Sequence, residues 1–312
     1  MQTNLYLLAI TLLLCVSCKE KQPKTNIQPV AETALLEQLQ AVNAERGGLL
    51  VMDVKSGKIV AQVHFKQSEE GVWCNTDAFL LDEKTEPGSL FKTASIMVAL
   101  EDKVITPCDS IDTATGTFNY AGTAIADHAT GGFGRITAKE ALLYSSNVGI
   151  AKIVLDGYEP NPQKFIDGLA KLGFSGIPEC ENWSETTLPY LSFGYEAVMP
   201  VTDVLKFYNS IAKGDINCTP ATLDAIRSML VDVVEKGTGQ PAKSEHIKIA
   251  GKTGTQQLGG GKHRVSFCGY FPADSPKYTC IVVIDNPRNG YPSGGTMAGS
   301  VFKTVAEQIS AP

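Results

Sequence analysis

Three short groups of polar residues carry the side chains in this sequence that could do chemistry together. They are Ser89 with Lys92, Ser145 with Asn147, and the run Lys252-Thr-Gly-Thr255. A serine hydroxyl is a weak nucleophile that needs an adjacent base, and a buried lysine held neutral can serve as one. In a helix, residues three apart lie on one face, one turn from each other. The groups therefore predict a serine nucleophile activated by lysine, which forms a covalent serine ester.

The Ser-x-x-Lys spacing alone is a weak signal, because two other pairs of residues repeat it. Ser89 precedes the other two groups, and it opens the nearly all-apolar segment 90–100, which is typical of a helix buried at the centre of a domain. Ser89 could instead act as a helix N-cap, a role that serine fills well. The order of the three groups favours the nucleophile. The two repeated pairs are Ser210/Lys213 and Ser300/Lys303.

Local patterns predict the elements that position these groups. Thr137-Ala-Lys-Glu140 is a capping box, and it predicts a helix to about Tyr144 that delivers Ser145 just past its end. Residues 247–250 lead as a strand into Lys252, and a hairpin follows over 265–284. Further strands are predicted within 48–63, and further helices over 31–45, 202–211, 222–235 and 299–309.

Strands near both ends enclose a helical middle, which indicates that the two ends of one domain share a sheet. The predicted fold class is α/β (α+β), with a central antiparallel sheet of about five strands flanked by helices. A mostly helical subdomain would carry Ser145 and Asn147.

Composition excludes several classes of function. The 312 residues are 43% apolar and 19% charged, as in a soluble globular protein. The net charge of −6 and the lack of a basic run argue against nucleic-acid binding. Cysteines and histidines show no metal-ligand spacing, so neither a metal nor a cofactor is expected. Cys268 and Cys280 could approach each other on the predicted hairpin, as a disulfide or as buried thiols.

The N-terminal segment is predicted to direct export. Residues 5–16 are almost uninterruptedly apolar and end at Ser17-Cys18, after which charge begins at Lys19. This pattern predicts a signal peptide over 1–18 with a lipoprotein-type box, which would make Cys18 the lipidated, membrane-anchored first residue of the mature chain. A plain cleaved signal or an uncleaved anchor is the alternative. Residues 19–46 would form a tether and a leading helix, and 47–312 the functional domain.

Longer segments around the three groups resemble the transpeptidase domain of class B penicillin-binding proteins. The resemblance covers residues 47–309 and implies the β-lactamase/transpeptidase-like fold. The segments that carry it are EPGSLFKTASIMVALE, ITAKEALLYSSNVGIAKI, LSFGYEAVMPVTDVLKFYNSIAKG, VVEKGTG, IAGKTGTQQ and SFCGYFPADSPKYTCIVVIDNP.

The resemblance implies a role for each residue of the three groups. Ser89 would attack the penultimate D-Ala carbonyl of a peptidoglycan stem peptide, or a β-lactam carbonyl, with Lys92 as general base. Ser145 would relay a proton to the leaving amine, and Asn147 would orient the substrate and Lys92. Lys252 would keep the pocket electropositive. The residues Thr253, Gly254 and Thr255 would bind the substrate, and the backbone N–H groups of Ser89 and Thr255 would form an oxyanion hole.

Two other functions share this acylation step. A serine β-lactamase must also hydrolyse the ester quickly, and no Glu-x-x-Leu-Asn-type segment lies between Asn147 and Lys252 to hold the water. A non-catalytic β-lactam sensor or scaffold would stay acylated. The expected partners are peptidoglycan stem peptides, β-lactams as inhibitors, a bacterial membrane through the lipid on Cys18, and cell-wall synthesis proteins on the periplasmic or outer side.

Overall fold

The computed structural model describes residues 26–310. The predicted signal peptide, Cys18 and most of the predicted tether lie outside the described residues. The strands within the described part are β1 (Arg46–Asp53), β2 (Ile59–Gln67), β3 (Trp73–Asn75), β4 (Lys84–Thr85), β5 (Ser110–Asp112), β6 (Thr117–Tyr120), β7 (Thr123–Ala126), β8 (Arg135–Thr137), β9 (Met199–Pro200), β10 (Ala250–Gly259), β11 (Lys262–Phe271) and β12 (Tyr278–Asp285).

Most of the helices of the described part lie between β3 and β10, and one helix lies near each of its ends. They are α1 (Ile27–Ala41), α2 (Phe79–Asp82), α3 (Lys92–Glu101), α4 (Ala138–Leu143), α5 (Asn147–Tyr158), α6 (Pro162–Lys171), α7 (Thr187–Ser192), α8 (Val201–Lys213), α9 (Pro220–Lys236) and α10 (Ser300–Ser310). A 3₁₀ turn, Gly88–Phe91, leads into α3, and a π-helical turn, Gly294–Gly299, leads into α10.

One antiparallel sheet organises the molecule, with strand order β10-β11-β12-β1-β2-β3. β1 pairs with β12 along its whole length, from Arg46 opposite Asp285 to Asp53 opposite Tyr278. The predicted sharing of one sheet by the two ends of the domain is therefore confirmed. The sheet has six strands where about five were expected. The extra strand is the edge strand β3, which has only three residues, two of them exposed, and so gives no strand pattern in the sequence.

The sheet separates two apolar cores. Strand side chains alternate between faces, and in β1 this places Leu50 and Met52 against the helical region and Leu49 and Val51 against α1 and α10. α3 lies inside the larger core, and eight of its ten residues are buried. The buried central helix predicted after Ser89 is thus confirmed, as is a helical subdomain, α4 to α7, that contains Ser145 and Asn147.

The leading helix begins and ends about four residues earlier than its predicted range of 31–45. It starts at Ile27 and includes Pro29, which a first helical turn tolerates because N–H groups there have no intrahelical partner. It ends at Ala41, just before Asn43 takes a left-handed φ of 46°. Its buried Leu35 and Leu39 belong to the core on the outer face of the sheet.

Cys268 and Cys280 lie on the neighbouring strands β11 and β12, as the hairpin prediction requires. Both are buried free thiols, so of the two alternatives, a disulfide or buried thiols, the structure has the second. Within residues 26–310, none of the helices combines the length and apolar character needed to cross a membrane.

Candidate active site

The first group of predicted residues lies where a 3₁₀ turn becomes an α-helix. Ser89 is the second residue of the turn Gly88–Phe91, and Lys92 is the first residue of α3. Side chains three residues apart lie above one another in a 3₁₀ turn, so this local geometry keeps Ser89 and Lys92 on one face. Tyr208 of α8 fixes the turn from behind, because its hydroxyl donates to the Leu90 carbonyl at 2.9 Å.

Ser145 occupies the junction between α4 and α5 in a strained conformation. The capping box at Thr137 starts α4 as predicted. At the other end of α4, the N–H of Ser145 donates to Leu142 and the N–H of Ser146 to Ala141, which is the hydrogen-bond pattern of a Schellman motif. The left-handed position of that motif usually holds glycine, but here it holds Ser145, with φ 57°. Such strain at one serine is typical of functional sites.

Asp127 fixes the start of α5 and therefore the position of Asn147. Its carboxylate accepts hydrogen bonds from the Ser146 hydroxyl at 2.9 Å and from the Val148 N–H at 3.0 Å. The amide nitrogen of Asn147 donates to the Ala126 carbonyl at 2.8 Å. The end of β7 and Asp127 thus hold Asn147 and its two neighbours in the chain in a fixed position relative to the rest of the site.

The third group lies on β10, at the edge of the sheet beside the nucleophile turn. Gly254 allows the two to approach, because a Cβ there would lie 3.4 Å from Leu90 and 2.3 Å from the Ser266 hydroxyl. The hydroxyl of Thr255 accepts from the Gly294 N–H at 3.2 Å. A side chain at position 254 would collide with the Ser266 hydroxyl on the paired strand β11, and one larger than alanine would also crowd Leu90 of the turn.

All three predicted groups meet at one open cavity of about 160 Å³. Its lining includes Ser89, Ser145, Asn147, Thr253 and Thr255. The structure therefore brings together residues that are up to 166 positions apart in the sequence (255 minus 89). No group of three or more His, Cys, Asp or Glu side chains in the described part of the chain could hold a metal ion.

Two fully buried lysines converge on the Ser145 hydroxyl. The Nζ of Lys92 lies 3.1 Å from Ser145 Oγ, and the Nζ of Lys252 lies 2.9 Å from the same atom. Lys92 also donates to the Ser145 carbonyl and to Asn147 Oδ1, both at 2.6 Å. Lys252 donates to the Thr253 carbonyl at 3.0 Å. Among the described residues, no carboxylate forms an ion pair with either amine.

Burial without an ion pair changes the protonation of both amines. It lowers the pKa of Lys92 to about 7, although the charge of Asp127 acts in the opposite direction. Burial also lowers the pKa of Lys252 well below its usual value, and the nearby Lys92 lowers it further. Desolvation disfavours the charged form of an amine, so Lys92 is poised to accept and release a proton near neutral pH.

The two repeated Ser-x-x-Lys pairs lack this environment. Lys213 and Lys303 are partly exposed and bind carboxylates, Asp215 at 2.6 Å and Glu307 at 3.9 Å. Ser89 lines the cavity, whereas Ser210 and Ser300 do not. The choice of Ser89 over Ser210 and Ser300 thus agrees with the geometry.

Sequence reasoning missed several residues of the cavity wall. Thr238 lies in the segment VVEKGTG, and its hydroxyl is 2.7 Å from that of Thr253. His128, Tyr195 and Tyr291 also line the cavity. Burial, together with the positive charges of Lys92 and Lys252, lowers the pKa of His128 below its usual value. Thr238 and Tyr195 had a sequence signal, because the segments VVEKGTG and LSFGYEAVMPVTDVLKFYNSIAKG were recognised without a role for either residue.

A solved structure and sequence relatives are similar to this chain over most of its length. The apo transpeptidase domain of Burkholderia pseudomallei penicillin-binding protein 3 superposes with a TM-score of 0.78 and 25% identity, over 92% of this chain and 95% of that one. The probable peptidoglycan D,D-transpeptidase PbpC of Pseudomonas aeruginosa is 26% identical over 89% of this chain. The probable peptidoglycan D,D-transpeptidase PenA of Neisseria flavescens is also 26% identical over 89%.

The family model described as the penicillin binding protein transpeptidase domain matches residues 47–307. The chain therefore belongs to that family, and the resemblance noted from its segments is confirmed. The chain spans 56% of the length of PbpC and 78% of the length of PenA.

Proposed function

We propose that this chain is a penicillin-binding serine acyltransferase that acts on D-Ala-D-Ala stem peptides of peptidoglycan. It would work as a D,D-transpeptidase or D,D-carboxypeptidase through a Ser89 acyl-enzyme. The observation that carries the proposal is the fully buried Lys92 amine, with its pKa lowered to about 7, one turn from Ser89 at the cavity wall. The relatives named as D,D-transpeptidases support the same class.

Acylation begins with proton transfer from Ser89 to Lys92. A neutral lysine amine has two N–H donors and one lone pair. The two donors are engaged by the Ser145 carbonyl and Asn147 Oδ1, and the Ser145 hydroxyl lies 3.1 Å from the same nitrogen. The lone pair would accept the Ser89 proton. The Ser89 oxygen then bonds to the penultimate D-Ala carbonyl carbon. The backbone N–H groups of Ser89 and Thr255 stabilise the oxyanion, and each such donor contributes about 3 kcal/mol.

Departure of the terminal D-Ala needs a proton on its amine. Ser145 would supply it, because its hydroxyl lies within hydrogen-bond distance of both Lys92 and Lys252. The proton taken from Ser89 thus passes from Lys92 through Ser145 to the leaving nitrogen as the C–N bond breaks. An acceptor amine gives a cross-link, and water gives a shortened peptide, by the reverse sequence of proton transfers.

Substrate recognition is assigned to the β10 side of the cavity. Thr253 and Thr255 present hydroxyls to the space in front of Ser89. They would hold the terminal carboxylate of the donor peptide, and Lys252 would add positive potential when protonated. Gly254 contributes by letting β10 lie against the nucleophile turn.

The composition of the cavity wall favours slow hydrolysis of the ester. Its lining, within the described part of the chain, contains no aspartate or glutamate that could hold a deacylating water. A β-lactam ester on Ser89 should therefore persist, as expected of a penicillin-binding protein, whereas a β-lactamase would release it.

Labelling with a fluorescent penicillin tests the proposal. The wild-type chain and Ser300→Ala, which changes a repeated Ser-x-x-Lys pair, should give stable label on a denaturing gel, and Ser89→Ala should give none. Absence of label on the wild-type chain would overturn the acyl-enzyme. Rapid loss of label would identify a β-lactamase instead. Release of D-Ala from a stem peptide, with or without cross-linking to an amine acceptor, then separates an enzyme from a sensor.

We also propose that the chain is an exported bacterial lipoprotein anchored through Cys18, facing the periplasm or cell exterior alongside cell-wall synthesis proteins. Support comes from the apolar segment 5–16 followed by Ser17-Cys18, and from a family that acts on the cell wall. Metabolic labelling with a palmitate analogue tests the anchor. Label that Cys18→Ser abolishes supports it, and label unchanged in Cys18→Ser contradicts it.

A further inference from the structure

Glu86 links the nucleophile turn to both walls of the cavity, although it does not line the cavity. It lies three residues before Ser89. One carboxylate oxygen, Oε1, accepts from the backbone N–H of Glu196 at 2.9 Å. The other, Oε2, accepts from the side-chain amide of Gln256 at 3.1 Å. One side chain therefore joins three separate segments of the chain.

Each partner of Glu86 is adjacent to a residue of the cavity wall. Gln256 is 7% exposed and follows Thr255 on β10. Glu196 follows Tyr195, which lines the cavity. Glu196 has a left-handed φ of 65°, a strained conformation for this residue type. The hydrogen bond from its N–H to Glu86 helps to hold that conformation.

The backbone next to Glu86 also makes close contacts with the same two segments. The N–H of Gly88 donates to the Gly194 carbonyl at 3.0 Å. A Cβ on Gly194 would lie 2.0 Å from the Gly88 carbonyl oxygen, and a Cβ on Gly88 would lie 3.7 Å from the Cβ of Gln256. The turn before Ser89 is thus packed between β10 and the 194–196 loop, with little room to shift once Glu86 holds both.

We propose that Glu86 is a positioning residue for the oxyanion hole. The two proposed donors, the N–H groups of Ser89 and Thr255, belong to different elements, the 3₁₀ turn and β10. The Glu86 carboxylate joins those elements one residue beyond Thr255 and three residues before Ser89. This inference rests on the proposed function, and it adds a residue that sets the distance between the two donors.

Oxyanion stabilisation depends on donors that are already in place when charge develops on the carbonyl oxygen. Small displacements of catalytic groups by distant substitutions can lower a rate on the order of 100-fold. Loss of the Glu86 link should therefore slow the chemical step of acylation more than it weakens the initial, non-covalent binding of the β-lactam.

The nearby Glu83 provides a matched control. It lies on the same segment, but its carboxylate accepts from Arg46 at 2.8 Å and from Arg264 at 3.5 Å, not from the elements of the cavity. Glu83→Gln should lower thermal stability and leave the acylation rate constant near the wild-type value. Glu86→Gln keeps an amide oxygen as acceptor, and because Gln256 can turn its amide, this variant should retain most of the rate.

The test measures how the rate of labelling by a fluorescent penicillin saturates with its concentration. This separates the acylation rate constant from the dissociation constant of the initial complex. In Glu86→Ala the rate constant should fall about 10- to 100-fold with the dissociation constant nearly unchanged. Glu86→Asp, which is one methylene shorter, should show the same loss and replaces the alanine variant if that one does not fold.

Three results would overturn the inference. One is a rate constant for Glu86→Ala or Glu86→Asp equal to that of the wild type. Another is a loss in Glu83→Gln as large as that in the Glu86 variants, which would mark a general effect of stability. The third is a Glu86→Gln variant as slow as Glu86→Ala. If the wild-type chain itself is not labelled, the proposed function fails first and this inference falls with it.

Discussion

The region of the candidate active-site cavity and the end of the sheet where β1, β11 and β12 meet both contain buried cationic side chains, but those side chains have different partners. In the cavity, Lys92 and Lys252 face hydroxyl, carbonyl and amide oxygens. At the end of the sheet, Arg264 binds Asp285 through two hydrogen bonds of 2.6 and 2.7 Å, and Arg46 binds the same carboxylate at 2.8 Å. We call this second region the arginine cluster.

The two regions differ in protonation as a result. Burial lowers the pKa of Lys92, because no carboxylate pairs with it. Burial alone would also lower the pKa of Arg264, but the hydrogen bonds and charge of Asp285 outweigh it and the pKa is raised. The Lys92 amine, which has no carboxylate partner, can lose its proton and act as a base. The Arg264 guanidinium, which is paired with Asp285, stays charged and links strands of the sheet. The comparison predicts that substitutions near the cavity change the acylation rate, and that substitutions in the arginine cluster change the free energy of unfolding.

The largest effect on rate is expected at Lys92. In Lys92→Ala the acylation rate should fall on the order of 100- to 10,000-fold, the usual contribution of general acid–base catalysis. Lys92→Arg should not restore it, because a guanidinium stays protonated and cannot act as a base. The measurement is the time course of fluorescent penicillin labelling. Lys213→Ala serves as control, and a Lys92→Arg variant as fast as the control would contradict the assigned role.

Asp285 should show the opposite behaviour. Its substitution by alanine leaves the buried Arg264 and the half-buried Arg46 with only the more distant or more exposed Glu83 as an anion. Breaking a buried pair in this way costs up to about 3–5 kcal/mol of unfolding free energy. Urea denaturation measures the loss. The exposed pair Lys248–Asp274 provides the control, because Asp274→Ala should cost less than about 1 kcal/mol. Labelling of the folded fraction of Asp285→Ala should proceed at the wild-type rate. A slower rate would contradict the prediction that the arginine cluster affects stability and not acylation.

A smaller effect, on the initial binding of the β-lactam, is expected from substitution of Thr238 in the cavity wall. Thr238→Val removes the hydrogen bond to Thr253, which is worth about 1 kcal/mol, so initial binding of the β-lactam should weaken about fivefold. Thr238→Ser should restore it. Thr304→Val, which removes a hydroxyl on the remote α10, should leave binding unchanged. Equal weakening in both valine variants would mean that Thr238 has no specific role.

The sequence was most informative where the same residue spacing determines both the local structure and the chemistry. Ser89 and Lys92 are one turn apart in any helical geometry, and the capping box at Thr137 fixes the start of α4. These features depend on neighbours in the chain, so a single sequence predicts them.

The features that were missed depend on tertiary contacts or break local preferences. Ser145 takes a left-handed conformation that residue preferences assign to glycine. The links made by Asp127 and Glu86 join segments that are far apart in the sequence. β3 pairs along the sheet edge without an alternating pattern. No local pattern specifies such contacts, although the site depends on them.

The pH dependence of acylation tests the central claim most directly, namely that a neutral Lys92 activates Ser89. Only the deprotonated amine can act as base, and the pKa of Lys92 is lowered to about 7. The acylation rate constant should therefore rise about tenfold per pH unit below 7 and level off above it. His128→Gln should keep that midpoint, which separates Lys92 from the imidazole beside it. A rate constant that stays flat from about pH 5 to 9, or a midpoint near the usual lysine value, would contradict the account.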